Sequence, residues 1–169
     1  MNLYLLRHAI AAAKDDPAFE SDSDRPLTKK GIKKFRKAAR GIDRLGIPFD
    51  AILSSPLVRA RQTADIVAAV LNKESYIEEI LELAPQSLPE QLTSALNNLN
   101  DKEHVMLVGH EPFLGKLAAF LVNGKNNSDS VIPLKKGGIC RIEIEALPST
   151  RPGQMHWLLT PKQLRLIAR

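Results

Sequence analysis

Met1-Asn-Leu-Tyr-Leu-Leu-Arg7-His8 decides how the rest of the chain is read. Residues 3–6 form an unbroken apolar run, as expected of a strand buried on both faces of a parallel sheet. The run stops at a cation and an imidazole, and the mostly small residues from Ala9 to Ala13 follow. In an open α/β sheet, ligands bind just beyond the carboxyl ends of the central strands. A strand of this kind delivers Arg7 and His8 to that edge. A salt-bridged arginine beside a surface histidine fits the dipeptide equally well, so the later stretches decide.

The pattern that follows alternates helices with strands. Residues 14–27 hold Asp15, Asp16, Pro17, Ser21, Asp22, Ser23, Asp24 and Pro26, the composition of a loop. Thr28 is the expected N-cap of a helix from Lys29 to Arg44, closed by Gly46 and Pro48. Ile32, Phe35, Ala39 and Ile42 give it one apolar face. Its other face carries Lys29, Lys30, Lys33, Lys34, Arg36, Lys37 and Arg40, read as a solvated surface or a dock for an acidic partner. Asp50–Leu53 reads as a short strand. Ser55 and Pro56 then read as N-cap and first residue of a helix with Arg59 in its first turn.

Tyr76–Ile80 reads as a further short strand, and Ser87 with Glu90 as a capping box. Val105–Val108 is the second clear central strand. It ends in Gly109-His110-Glu111, and Pro112 opens the next helix. Residues 123–138 read as a polar loop. Ile139–Glu145 and Met155–Leu159 read as an antiparallel pair at one edge, followed by a helix from Pro161. The expected fold is α/β: a three-layer α/β/α sandwich with a mostly parallel central sheet and an antiparallel edge.

The 169 residues predict one domain spanning 1–169. A hydrophobic fraction of 44% suffices for a normal core. Cys140 is the single cysteine, which excludes an intrachain disulfide framework. No apolar run reaches the roughly 18 residues of a membrane span. The start of the chain lacks the pattern of a secretory signal, so the expected location is the cytoplasm. Asn126-Asn127-Ser128 matches a glycosylation sequon, which without such a signal is read as chance. The formal net charge is +5. Neither zinc-finger spacing nor an aromatic stacking platform accompanies it, so no nucleic-acid partner is expected.

Arg7-His8, Arg59 and Gly109-His110 all follow predicted strands. If those strands are neighbours, two arginines and two histidines meet at one carboxyl edge. Phosphoryl transfer needs such a set, because its catalysis is largely positioning and electrostatic stabilisation. Arginine offers planar paired donors to phosphate oxygens. A neutral imidazole, with a reference pKa of about 6.5, is a competent nucleophile near neutral pH. Two histidines with two arginines lack the carboxylate or thiolate that metal sites usually add. No metal or cofactor is expected.

Leu6-Arg7-His8-Ala9, Ser54-Ser55-Pro56-Leu57-Val58-Arg59-Ala60-Arg61-Gln62-Thr63-Ala64 and Val108-Gly109-His110 resemble the signature of the histidine phosphatase superfamily, with its phosphoglycerate-mutase-like fold. The match runs from residue 3 to about residue 120. Asp24-Arg25-Pro26-Leu27-Thr28 and the short length are most similar to the phosphohistidine phosphatase SixA branch. The resemblance implies that His8 is a nucleophile that becomes transiently phosphorylated. It implies that Arg7, Arg59 and His110 bind the phosphoryl oxygens, with Arg25 a weaker candidate at the rim; a pairing of Arg25 with Asp22 or Asp24 in its own loop fits that residue equally well. Relatives that cleave phosphate esters often place a carboxylate general acid after the segment matching Tyr76–Ile80; Glu82 holds a comparable position, and Glu78, Glu79 and Glu82 read equally well as a solvated acidic patch. Ala9 departs from the pattern, since many relatives have glycine there.

The function so implied is metal-independent hydrolysis of phosphohistidine on a protein, such as a histidine-containing phosphotransfer domain. A small-molecule phosphomonoesterase or mutase of the same superfamily is the alternative. A non-catalytic phosphoryl- or nucleic-acid-binding module is a third reading. The nucleophile kept among the cations argues against it.

Overall fold

The computed structural model describes residues 1–124, 130–149 and 151–169; the sequon at 126–128 lies outside them. The first strand, β1 (Asn2–Arg7), is followed by α1 (Lys29–Asp43), β2 (Ala51–Ser54), α2 (Val58–Leu71) and β3 (Ile77–Glu79). Then come α3 (Pro89–Ala95), β4 (His104–Gly109), α4 (Phe113–Asn123), β5 (Ile139–Glu143), β6 (Gln154–Leu159) and α5 (Pro161–Ile167). The strands form one sheet in the order β3-β2-β4-β1-β5-β6. β3, β2, β4 and β1 pair in parallel, whereas β5 runs antiparallel to β1 and to β6.

The unbroken apolar run of β1 is explained by what covers it. Leu3 and Leu5 face α3 and α4, packing with Leu92, Leu114 and Leu117. Tyr4 and Leu6 face α1, α2 and α5, packing with Phe35, Ala39, Ala64 and Leu164. All four β1 side chains are at most 1% exposed. Each such leucine contributes about 1.5–3 kcal/mol by leaving water. The sandwich therefore has three layers, as the alternation of elements predicts. Among the described residues no helix is long and apolar enough to cross a membrane.

Helix starts differ in detail from expectation. Thr28 does cap α1, its side chain accepting from Gly31 N at 2.9 Å. Ser55 does not cap α2, which begins at Val58 with Leu57 as N-cap. The Ser55 hydroxyl is engaged elsewhere. The Ser87/Glu90 capping box does not form: Leu88 is the N-cap of α3 and has no side-chain acceptor, and only the reciprocal bond exists, with Gln91 Oε1 accepting from Leu88 N at 3.0 Å. Ser87 Oγ instead donates to Leu81 O. At Gly31 any side chain would collide with the Ile10 carbonyl, 2.1 Å from an added Cβ. The first turn of α1 is thus pressed against the segment that follows His8.

Candidate active site

The central strands end level with one another. Arg7 pairs with Gly109, and Ser54 with Val108. Just past the ladder, His8 N donates to Gly109 O at 3.0 Å and Ser55 N to Val108 O at 2.9 Å. His8, Ser55 and His110 are therefore the first residues beyond one edge. Arg59 joins them from the first turn of α2. Arg7, His8, Arg59 and His110 line one pocket of about 470 Å³. His8 is 7% exposed, Arg59 4% and His110 2%.

Local hydrogen bonds fix the state of His8. Its Nδ1 lies 2.7 Å from Ala9 O. A carbonyl only accepts, so Nδ1 carries the proton and Nε2 keeps its lone pair. Ala9 N donates to Thr63 Oγ1 at 3.0 Å, and Thr63 Oγ1 donates to Arg59 O at 2.7 Å. The turn after His8 is thereby tied to α2. Ala9 is buried, and Asn72 is the only non-glycine residue at positive φ among the described residues. The departure from glycine therefore costs no backbone strain.

His110 is held by Ser55, whose Oγ lies 2.8 Å from His110 Nε2, and the two histidine rings are 5.2 Å apart. Burial pushes His8 down to about 3; its bond to Ala9 opposes the shift, and the charges of Arg59, Arg7 and Lys136 reinforce it. His110 is also pushed down to about 3, first by burial, then by His8 and Arg59. Both imidazoles are therefore neutral at pH 7. Burial also lowers Arg7 and Arg59, opposed by Glu111 and Asp22 respectively. A guanidinium stays charged nonetheless.

The rim comes from loops. Gly137, at φ 75°, donates its N–H to Arg7 O at 3.0 Å and His8 O at 3.1 Å. Glycine adopts that conformation freely. Its segment sets Leu134 O against Arg7 Nη1 at 2.7 Å and places Lys136 on the pocket wall. Glu111 Oε1 holds Leu134 N at 2.7 Å, so Glu111 supports Arg7 through Leu134. On the opposite rim, Asp22 joins Arg59 to Arg25. Burial alone would raise the Asp22 carboxyl. The bonds and charges of Arg25 and Arg59 outweigh it and hold it below the ordinary carboxylate range.

Among the described residues, three buried side-chain nitrogens lack a partner: Arg7 Nε, Arg59 Nε and His110 Nδ1. All three belong to residues of this pocket. An orphaned buried donor costs free energy unless a ligand answers it. Two guanidinium groups lining one pocket with a neutral imidazole suit a tetrahedral oxyanion.

The family model for the histidine phosphatase superfamily (branch 1) matches residues 3–83. The phosphohistidine phosphatase SixA of Escherichia coli strain K12 is 33% identical over 127 residues, 74% of this chain and 76% of that protein. The chain belongs to the histidine phosphatase superfamily. A solved structure of the protein histidine phosphatase SixA complexed with tungstate matches with a TM-score of 0.83 and 27% identity, covering 97% of this chain and 99% of that one. The adenosylcobalamin/alpha-ribazole phosphatase of E. coli K12 is 31% identical over 101 residues, 59% of this chain and 40% of that protein.

Within this superfamily member, four predicted site residues, Arg7, His8, Arg59 and His110, meet in one pocket. Arg25 also reaches the rim, but its nitrogens are engaged by Asp22 Oδ1 and Ala12 O. Glu82 does not line the pocket. It sits on a short 3-10 turn, Leu81–Leu83, and faces a separate shallow groove with Ser87 and Gln91. The turn is anchored by Leu83, which is fully buried, and Pro85 is its segment's contribution to the pocket wall. Sequence reasoning missed Ser55 as the partner of His110. It offered Asp22 or Asp24 as the loop partner of Arg25, and Asp22 is that partner; it missed the bond of Asp22 to Arg59, and Glu111 and Lys136 as pocket residues. Glu111 had a signal in its place beside His110; Lys136 had none beyond its charge.

Proposed function

We propose that this superfamily member hydrolyses phosphohistidine on a protein, by two displacements through His8. The observation that carries the reading is the trio of unpartnered nitrogens, Arg7 Nε, Arg59 Nε and His110 Nδ1, on residues that line one pocket with the neutral His8 imidazole. His8 Nε2 attacks phosphorus while the bond to the leaving imidazole nitrogen breaks. The departing pair goes to that nitrogen, which takes a proton from solvent. Imidazole binds a proton near neutral pH, so it leaves without a dedicated carboxylic acid. Water then attacks the phosphoryl group on His8, releasing inorganic phosphate and the free imidazole.

Arg7 and Arg59 bind the phosphoryl oxygens and offset the charge that spreads over them in the transition state. With the Ser55 hydroxyl donating to His110 Nε2, the His110 proton lies on Nδ1, where it donates to a phosphoryl oxygen. The protein substrate is supported by the rim. Ala11 to Lys14, Asp22, Arg25 and Lys136 line the pocket from segments outside the α-helices and strands, and no such segment closes over it as a helix or strand. The likeness to a phosphohistidine phosphatase supports it further. The likeness to an alpha-ribazole phosphatase favours the alternative, a small phosphate ester.

Purified protein assayed against a phosphorylated histidine-containing phosphotransfer domain and a panel of phosphate esters separates the two. The expected result is a higher kcat/KM for the phosphoprotein, declining as salt rises because exposed charge attraction is screened. A salt-insensitive preference for one small ester would replace this reading with the alternative.

A further inference from the structure

Arg59 commits both terminal nitrogens to a single residue. Nη1 donates to the Asp22 carbonyl oxygen at 2.5 Å, and Nη2 to Asp22 Oδ2 at 2.8 Å. This takes the end of the guanidinium fork and leaves Nε, on its side, without a partner among the described residues. The other carboxylate oxygen, Oδ1, receives Arg25 Nε at 3.0 Å and Arg25 Nη2 at 2.6 Å. Arg25 Nη1 closes the arrangement on Ala12 O at 2.5 Å. Asp22 thus bridges a buried arginine of α2 to an arginine of the rim loop.

We propose that Asp22 is a positioning residue for phosphoryl recognition: it clamps the end of the Arg59 guanidinium so that the Nε side is kept for the substrate's phosphoryl oxygens. This rests on the reading of the pocket as a phosphoryl site. A long arginine side chain loses rotamer freedom when it binds an anion, and a clamp already in place removes part of that cost. A bare carboxylate in an anion site would repel the substrate. Here both of its oxygens are occupied by guanidinium groups. Asp22, Arg25 and Arg59 together carry a formal charge of +1 (two cations, one anion), so attraction survives. The opposite possibility is competition, in which the carboxylate occupies Arg59 and the anion must displace it. The two predict opposite signs.

Tungstate, a tetrahedral oxyanion, is the probe, and its binding to the full chain is measured by calorimetry. Positioning requires that Asp22→Ala weaken tungstate binding tenfold or more. Asp22→Asn, which keeps an oxygen for Nη2 but loses the charge, falls between Ala and wild type. On an Arg59→Ala background, Asp22→Ala adds nothing, because the clamp acts only through Arg59. If Arg59→Ala does not fold, Arg59→Lys serves, since lysine has no fork for Asp22 to hold. Melting temperatures recorded for each variant separate lost positioning from lost fold. Unchanged or tighter binding by folded Asp22→Ala overturns the clamp, and tighter binding establishes competition. Full additivity with Arg59 also overturns it. Failure of wild type to bind tungstate overturns the phosphoryl reading itself, and with it this inference.

Discussion

Two regions of the molecule concentrate positive charge, and they are built in opposite ways. The outer face of α1 carries Lys29, Lys30, Lys33, Lys34, Arg36, Lys37 and Arg40, all exposed. The pocket carries Arg7 and Arg59 with two neutral histidines, sunk at the end of the sheet. On α1 each cation keeps its water, so its field is screened within about 8–10 Å at ordinary salt. In the pocket the guanidinium groups are held by Leu134 O and by Asp22, and their Nε atoms have no partner among the described residues. A count of charges ranks the helix first. Chemistry depends instead on donors that are fixed, desolvated and short of acceptors, which describes the pocket.

Substitutions should follow that division. The largest effect is expected for His8→Ala, which removes the nucleophile and should reduce turnover to background while the circular dichroism spectrum stays native. Next, Arg7→Ala and Arg59→Ala should each lower kcat/KM about 10²–10³-fold, the usual cost of one preorganised oxyanion donor. Rates within a few-fold of wild type would move these arginines out of the chemistry. Acid provides a milder probe. His8 and His110 are held neutral in the fold down to about 3, whereas in the unfolded chain a histidine takes up its proton near pH 6.5. Between those values the unfolded chain binds more protons, so stability falls as pH drops below about 6.5. NMR of the two rings should show neutral imidazole from pH 8 to 5; an inflection near 6.5 would contradict the buried geometry. The smallest effect is expected on α1. Lys33→Glu, Lys37→Glu and Arg40→Glu together should leave kcat/KM for a small phosphate ester within about twofold of wild type, since rim charges act mainly on encounter with a charged partner. A tenfold loss would erase the distinction between the two regions.

The elements that make the pocket's floor were legible for a physical reason. Leu3–Leu6 and Val105–Val108 are apolar on both faces, so they had to be central strands, and central strands deliver their next residues to one edge. That logic reached His8 and His110, and the turn before α2 reached Arg59. It did not reach Ser55, because Ser-Pro reads locally as a helix cap. Only the alignment of β2 with β4 shows that its hydroxyl faces a histidine 55 residues away. Asp22 or Asp24 could be read as the loop partner of Arg25, but the composition of the 14–27 loop does not say which of its acids also reaches Arg59. Lys136 enters through the crossing of its loop over β1, a tertiary fact. Glu82 shows the converse. Its place in the sequence matched a family position, but the buried Leu83 fixes a turn that carries the carboxylate to another groove.

The central claim is that His8 Nε2 accepts the phosphoryl group. Wild type mixed with a ³²P-labelled phosphohistidine protein should be quenched within the first turnover and its labelled peptides mapped by mass spectrometry at alkaline pH. The account predicts one acid-labile, alkali-stable phosphoryl group on the peptide that contains Arg7-His8, absent from His8→Ala. Turnover with no phosphoenzyme, or with the label on another residue, would contradict it.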